Sequence, residues 1–188
     1  MPFSPRVHDT LTIDGEVYSV AEHPAAPGQP YSQEGRQAIV YQLVAGKVRR
    51  ALKVFKPRYR VPGLVSLAQR MESFADLPGL QVCRRTVLTP QRHADLLRQY
   101  PDLTYAVLMP WIEGPTWMQV ILERRALTPE ESLSLASVLT DILLRLEQET
   151  LAHCDLSAPN ILLPVLTPHR PPVNGGIEGG LPTRGMEG

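Results

Sequence analysis

The sequence has few cysteines, no excess of charge and no long apolar run. Its two cysteines, Cys83 and Cys154, do not form the spacing of a zinc site or a disulfide framework. With 19 basic and 19 acidic residues the net charge is zero, so we expect no nucleic-acid partner and no anionic-membrane surface. No apolar run approaches the roughly 18 residues of a membrane-spanning helix, and the N-terminus lacks the apolar core of a signal peptide. These absences predict a cytoplasmic protein.

Proline is abundant, and its distribution predicts less regular ends. The chain has 19 prolines, about twice average usage, and they concentrate near the two termini. Residues 164–188 are rich in proline and glycine and contain no aspartate. We expect this segment to be a flexible tail. The 188 residues are enough for one domain or two small lobes with a buried core.

Alternating apolar residues in the first third of the chain predict an antiparallel sheet. Two short runs, 10–13 and 16–20, are joined by Asp14-Gly15, which is a strong hairpin signal. Residues 24–37 are expected to form an irregular, polar connection. A second pair of strands, 38–44 and 48–55, follows and is joined by a tight turn.

Apolar residues at helical spacing predict two amphipathic helices. The first covers residues 62–75, with Pro62 near its first turn, where proline is tolerated. The second begins at Thr128, whose capping box with proline at the first helical position is a helix-start signal, and it ends near Thr150. Its apolar face consists of Leu135, Val138, Leu139, Ile142 and Leu146. Between the helices we expect strands at 82–88 and 104–112, and a short helix within 89–100.

The segment from residue 151 to residue 163 carries the clearest chemical signal. It places His153, Asp155 and Asn160 close together before an apolar run that is typical of a short buried strand. Phosphoryl transfer needs an aspartate that orients a hydroxyl and accepts its proton. It also needs an amide oxygen that holds a magnesium ion carrying nucleotide phosphates. Asp155 and Asn160 fit these two roles.

This segment resembles the catalytic loop of the protein-kinase superfamily, H-x-D-L-x-x-x-N. His153, Asp155, Leu156 and Asn160 match it. Because Cys154 and Ser157 replace the usual arginine and lysine, the loop is most similar to those of atypical, RIO-like kinases and their bacterial relatives. The resemblance implies an α+β fold with an antiparallel sheet and one helix in an N-lobe, followed by a truncated helical C-lobe. The implied parts are an N-lobe over 1–109, a hinge and partial C-lobe over 110–163, and the tail over 164–188.

The same resemblance assigns a lysine and a glutamate to nucleotide binding. The run of residues 51–54, A-L-K-V, resembles the V-A-I-K strand of kinases, in which the alanine lies over adenine and the lysine holds phosphates. Ala51 and Lys53 take these roles. Glu72, on the first predicted helix, is then implied to form an ion pair with Lys53. Together with Asp155 and Asn160, Lys53 and Glu72 complete the implied catalytic set.

Further residues are implied to surround ATP. Met109 would guard the back of the adenine pocket, and the hinge would present the carbonyl of Pro110 and the backbone of Ile112. The glycine-rich loop is reduced to one of its three glycines, which can still let phosphates approach the backbone. The remaining nucleotide contacts would come from Gly35, Val40 and Leu162. The implied cofactors are ATP and Mg²⁺, with Asn160 as a metal ligand, and the further partner would be a protein substrate or a regulatory protein.

The resemblance ends after residue 163. A D-F-G motif, whose aspartate carries magnesium, is absent from residues 164–188, and Glu178 is a poor substitute for it. Three functions therefore stay open. The first is a protein kinase that transfers the γ-phosphate of ATP to serine or threonine and is impaired in this chain. The second is a pseudokinase that binds nucleotide or acts as a scaffold. The third is a small-molecule phosphotransferase.

Overall fold

Antiparallel strands dominate the α+β structure, a computed structural model that describes residues 3–150 and 156–164. Its strands are β1 (Thr10–Ile13), β2 (Glu16–Val20), β3 (Glu22–His23), β4 (Ala26–Pro30), β5 (Ser32–Glu34), β6 (Ala38–Ala45), β7 (Val48–Phe55), β8 (Thr86–Val87) and β9 (Val107–Pro110). The main sheet has the order β1-β2-β6-β7-β9-β8, and β5 pairs with one end of β6. β3 and β4 form a separate two-stranded sheet.

Four α-helices accompany the strands. They are α1 (Gly63–Glu72), α2 (Ala94–Gln99), α3 (Trp117–Leu122) and α4 (Pro129–Gln148). Short 3₁₀ turns occur at Pro57–Tyr59, Gln81–Cys83, Pro101–Leu103 and Ala158–Asn160. None of the helices in the described ranges is both long enough and apolar enough to cross a membrane.

The structure confirms the elements that local signals predicted. Asp14 and Gly15 connect β1 to β2 with φ angles of 52° and 83°, the left-handed conformations that a tight hairpin turn requires. β6 and β7 pair over their full lengths, from Ala38–Phe55 to Ala45–Val48. α4 begins at its predicted capping box, in which the side chains of Thr128 and Glu131 each accept a backbone N–H of the other residue.

The prediction of an irregular connection at residues 24–37 was wrong, because two strands, β4 and β5, form there. Prolines are tolerated in β4 because the β3–β4 sheet has only two strands, so each strand leaves one side without a backbone partner. The carboxylate of Glu22 accepts a hydrogen bond from the N–H of Gly28 at 2.6 Å, which closes this hairpin. Tyr31 then connects it to the main sheet, because its carbonyl accepts a hydrogen bond from the N–H of Gln42 in β6 at 2.9 Å.

Other boundaries differ from the predictions. The first helix ends at Glu72 rather than at residue 75, although Phe74 and Ala75 remain buried in the turns that follow. The predicted strand over 82–88 is reduced to β8, because Cys83 belongs to a 3₁₀ turn that directs its side chain into the core. α3 was not predicted, although the capping box formed by Thr116 and Gln119 is visible in the sequence.

The two faces of the main sheet bury different clusters. One face packs beneath α2 and holds the largest core cluster: Leu11, Ile13, Tyr18, Val20, Tyr41, Leu43, Leu52, Val54, Leu88, Leu97, Leu103, Ala106 and Leu108. α1 covers one end of the opposite face through Ala38, Phe55, Ala68, Val87 and Val107. Complete burial of each large apolar side chain contributes about 1.5–3 kcal/mol, so these layers hold the sheet in place.

α4 packs against the segment that follows α1. Leu146 is 5% exposed and, with Ile142, contacts Phe74 and Leu80. Val138 was predicted on the apolar face of this helix, but it is 52% exposed. At the start of the helix, Leu135 joins a small cluster around Val120 and Leu163.

Candidate functional site

Four of the residues predicted to bind nucleotide lie on one face of the main sheet. Val40 of β6 is the direct cross-strand partner of Lys53 in β7, and Ala51 of β7 is the partner of Met109 in β9. Direct partners in antiparallel strands point to the same face, and residues two apart in one strand also share a face. Val40, Ala51, Lys53 and Met109 therefore form a patch across three strands, beside the part of this face that α1 covers.

Lys53 lies at the boundary between this patch and the cluster under α1. Its side chain is half-buried, and its Nζ lies 5.2 Å from the centroid of the Phe55 ring. Phe55 is 8% exposed and belongs to the cluster that contains Ala68 of α1. The contact combines a cation with an aromatic face and directs the ammonium group towards the end of the sheet where α1 packs.

Glu72, the predicted partner of Lys53, is the last residue of α1. Its side chain is 55% exposed, and Oε1 lies 4.0 Å from Nε of Arg84. The guanidinium of Arg84 also forms an ion pair with Asp76. Both interactions lie at the solvent surface, where an ion pair contributes little to stability. The ion pair between Lys53 and Glu72 stays a prediction.

Gly35 occupies the turn between β5 and β6. Its N–H donates to the carbonyl of Ala38 at 2.8 Å, and the strands on either side pair Gln33 with Val40. A Cβ atom at Gly35 would meet only the Ala38 oxygen, at 3.5 Å, which is an ordinary contact. The local backbone therefore does not require glycine here, and the open space above the turn is compatible with a ligand that approaches the main chain.

The predicted hinge follows directly from β9. Met109 and Pro110 are the last two residues of this strand, and both are half-buried. Trp111 then donates its N–H to the carbonyl of Arg49 at 3.3 Å and stacks edge-on against Tyr31 with ring centroids 5.2 Å apart. These contacts hold Trp111 beside β7, and Ile112 follows it in the chain.

The described residues include only part of the predicted catalytic segment. His153, Cys154 and Asp155 lie outside the described residues, as does Glu178. Asn160 ends a 3₁₀ turn, is exposed and donates its Nδ2–H to the hydroxyl of Ser157 at 3.2 Å. The roles of Asp155 and Asn160 stay predictions.

The apolar run after Asn160 contacts the start of α3. Leu162 forms an isolated β-bridge with Thr116 and is 37% exposed, whereas Leu163 is 5% exposed and packs against Val120. The predicted buried strand is thus reduced to a single bridge, and Leu163 is the residue that anchors it. Leu162, on the alternate position, keeps its side chain accessible, and its contact with a base stays a prediction.

Two of the grooves in the described part of the surface lie near the predicted residues. The larger has a volume of about 620 Å³, and its lining includes Ser19, Gln42, Lys47 and Arg49 but none of the residues predicted to bind nucleotide. It adjoins the patch, because Gln42 is the direct partner of Ala51. The smaller groove, of about 400 Å³, lies between α1 and β8.

Potential metal ligands do not cluster in the described ranges. Among those residues, no group of three or more His, Cys, Asp or Glu side chains is close enough to hold a metal ion. Asn160 provides an amide oxygen, a ligand type that Mg²⁺ accepts, and Asp155 would add a carboxylate.

Comparison with known proteins does not assign this chain to a family. No protein-family model, no curated protein and no solved structure matches this chain.

Proposed function

We propose that this chain is an ATP-binding domain of the protein-kinase type, in which adenine lies against the face formed by β6, β7 and β9. The observation that carries the proposal is the register of these strands. It brings Val40, Ala51 and Met109, three side chains of adenine-binding type, beside Lys53. The chemical types fit, because three apolar groups suit a base and one ammonium group suits its phosphates.

The position of α1 supports the same proposal. α1 covers the end of the face next to Lys53, and Glu72 lies on this helix. In our proposal Glu72 turns from the solvent surface to Lys53 when nucleotide binds and orients the ammonium group towards the phosphates. The carboxylate is exposed, and among the described residues it has only a long contact with Arg84, so little has to be broken for this rotation.

The proposed chemistry is transfer of the γ-phosphate of ATP to a hydroxyl. Asp155 would accept the proton of the attacking hydroxyl, and the amide oxygen of Asn160 would bind magnesium. Bound Mg²⁺ would neutralise the charge of the phosphates. The pocket for adenine and the catalytic loop would face each other, with Leu162 beneath the base.

Calorimetry with ATP, with and without Mg²⁺, tests the proposal. We expect saturable binding that is weakened in Lys53→Met. Lys47→Met is a matched control, because Lys47 is an exposed lysine in the turn of the same hairpin. The proposal fails if the folded chain does not bind ATP, or if both variants bind it as the wild type does.

Transfer assays then separate the three functions. Phosphorylation of generic protein acceptors, abolished by Asp155→Ala, would identify a protein kinase. Phosphorylation of aminoglycosides or choline alone would identify a small-molecule phosphotransferase. ATP binding without transfer to either acceptor class would identify a pseudokinase.

A further inference from the structure

The groove between α1 and β8 combines apolar residues with polar and charged ones. It is lined by Val65, Ala68, Gln69, Glu72, Arg85, Thr86, Val87, Thr89 and Arg92. Val65 and Ala68 belong to the apolar side of α1, whereas the residues from β8 and its flanks supply polar and charged groups. The groove therefore has an apolar wall opposite a polar one.

Arg85 is the charged group of this groove that lacks a counter-ion among the described residues. Its side chain is half-buried, and its one hydrogen bond within the described ranges runs from Nε to the carbonyl of Val82 at 2.8 Å. No carboxylate of the described residues forms an ion pair with it. Burial lowers the pKa of the Arg85 guanidinium, which is the expected effect of removing a cation from water. A guanidinium nevertheless keeps its charge at neutral pH.

The other charges of the groove have partners. Arg92 donates from Nε to the carboxylate of Asp14 at 2.8 Å. Glu72 faces Arg84, with 4.0 Å between Oε1 and Nε. The positive charge of Arg85 is thus the charge in this groove that no described carboxylate compensates.

Three neutral donors line the same groove. They are the amide of Gln69 and the hydroxyls of Thr86 and Thr89, and none of these side chains makes a hydrogen bond with another described residue. A guanidinium presents paired N–H groups that match the oxygens of a carboxylate or phosphate, and nearby amide and hydroxyl donors complete the coordination of such a group.

We propose that the groove between α1 and β8 binds the oxyanion of a ligand, a phosphate or a carboxylate, with Arg85 as the central contact. The anion would compensate a partly desolvated charge and use donors that the described residues leave unused. Val65 and Ala68 would contact the apolar part of a ligand that carries the anion. This site shares Glu72 with the proposed nucleotide site, but its anion contacts come from other residues and its test does not require nucleotide.

Nuclear magnetic resonance titration of the full chain tests the site. Inorganic phosphate and acetate serve as separate probes, each compared with sodium chloride at equal ionic strength. We expect saturable shifts at the amides of Gln69, Arg85, Thr86 and Thr89 with at least one probe. Tighter binding of phosphate would indicate a phosphorylated ligand, and tighter binding of acetate would indicate a carboxylate.

Variants separate specific binding from general charge effects. Arg85→Met should lower the affinity for the anion by about tenfold or more, because charge-assisted hydrogen bonds are lost. Arg98→Met is the control, since Arg98 is an exposed arginine on α2. Glu72→Gln should strengthen binding, because it removes a like charge from the groove.

Arg85→Lys keeps the experiment informative if Arg85→Met does not fold. It retains the charge but not the planar pair of donors, so binding should weaken and remain measurable. The proposal is overturned if neither probe causes saturable shifts in the wild type. It is also overturned if the folded Arg85 variants bind the anion as tightly as Arg98→Met.

Discussion

Ala51 and Met109 are direct partners across β7 and β9, although more than fifty residues separate them along the chain. The side chain of Ala51 is 4% exposed, and that of Met109 is half-buried. The half-buried side chain of Met109 stays partly accessible beside the small, buried Ala51. The proposed adenine position depends on this pairing.

Enlarging Ala51 should therefore weaken ATP binding. Ala51→Leu places a branched side chain where the base would lie, and overpacking of this kind typically costs about 1–3 kcal/mol. We expect the dissociation constant for ATP to rise about tenfold, measured by calorimetry. Val48→Leu is the control, because Val48 is an exposed residue of the same strand. Equal ATP affinity in the two folded variants would contradict an adenine position next to Ala51.

Lys53 and Glu72 should contribute unequally to nucleotide binding. Lys53→Met removes a charge-assisted contact worth about 1.5–3 kcal/mol, which corresponds to a roughly tenfold to hundredfold weaker affinity for ATP. Glu72→Gln leaves the lysine in place and should weaken binding less. The measurement is calorimetry with ATP and Mg²⁺. A loss at Glu72→Gln as large as that at Lys53→Met would contradict a purely orienting role.

Replacing Gly114 should destabilise the contact between the hinge and the segment after Asn160. Its φ is 125°, and a Cβ atom would lie 2.7 Å from the carbonyl oxygen of Leu163 and 2.8 Å from Cα of Pro164. Both are backbone atoms that cannot rotate away, so Gly114→Ala should lower the free energy of unfolding by about 1–3 kcal/mol.

Urea unfolding measures this loss, and Gly63→Ala provides a matched control. Gly63 is the first residue of α1, and nothing lies within 4 Å of the position of its Cβ atom. Gly63→Ala should leave stability unchanged or raise it slightly. Equal stabilities of the two variants would show that the close approach of Gly114 to Leu163 is unimportant.

The ion pair between Arg60 and Asp102 predicts a loss of stability in acid. Burial raises the pKa of Asp102, but hydrogen bonds from Arg60, at 2.5 Å, and from the N–H of Phe3, at 2.8 Å, outweigh this effect. The pKa of Asp102 is therefore lower in the folded state than its ordinary value. A lowered carboxylate pKa contributes stability above the unfolded-state pKa of about 3.9, and this contribution is lost as the pH falls through the folded-state value.

Asp102→Asn should thus destabilise the protein at neutral pH, and the difference from the wild type should shrink below about pH 4. Thermal unfolding between neutral and acid pH measures this. Asp95→Asn is the control, because the Asp95 side chain is 93% exposed and pairs with Arg98 on the surface of α2. A difference that stays constant with pH would exclude the carboxylate charge as its cause.

The 188-residue chain should transfer phosphate slowly or not at all. Residues 164–188 contain no aspartate to supply the second carboxylate that carries magnesium in kinases. Loss of one preorganised electrostatic group typically costs about a hundredfold to a thousandfold in rate. Radiolabelled ATP with protein acceptors measures the rate, and Asp155→Ala is the comparison. Rapid transfer that depends on Asp155 would contradict this prediction and imply another metal ligand, such as Glu178.

The sequence alone determined the elements whose signals are local. The β1–β2 turn follows from Asp14-Gly15, and the start of α4 follows from the capping box at Thr128, because neighbouring residues supply all the hydrogen bonds involved. The β6–β7 hairpin, which carries Val40, Ala51 and Lys53, follows from alternation around a tight turn. All three strands of the proposed nucleotide face were thus predicted, since β9 lies within the strand expected over residues 104–112.

Only the tertiary structure decided how these elements meet. The register that pairs Ala51 with Met109 depends on strands far apart in the chain, and so does the short length of β8. β4 tolerates its prolines because the β3–β4 sheet leaves one side of each strand without a backbone partner, a condition that no local pattern reveals. The groove at Arg85 is decided in the same way, because burial without a counter-ion results from α1 packing beside β8 and not from the residues next to Arg85 in sequence.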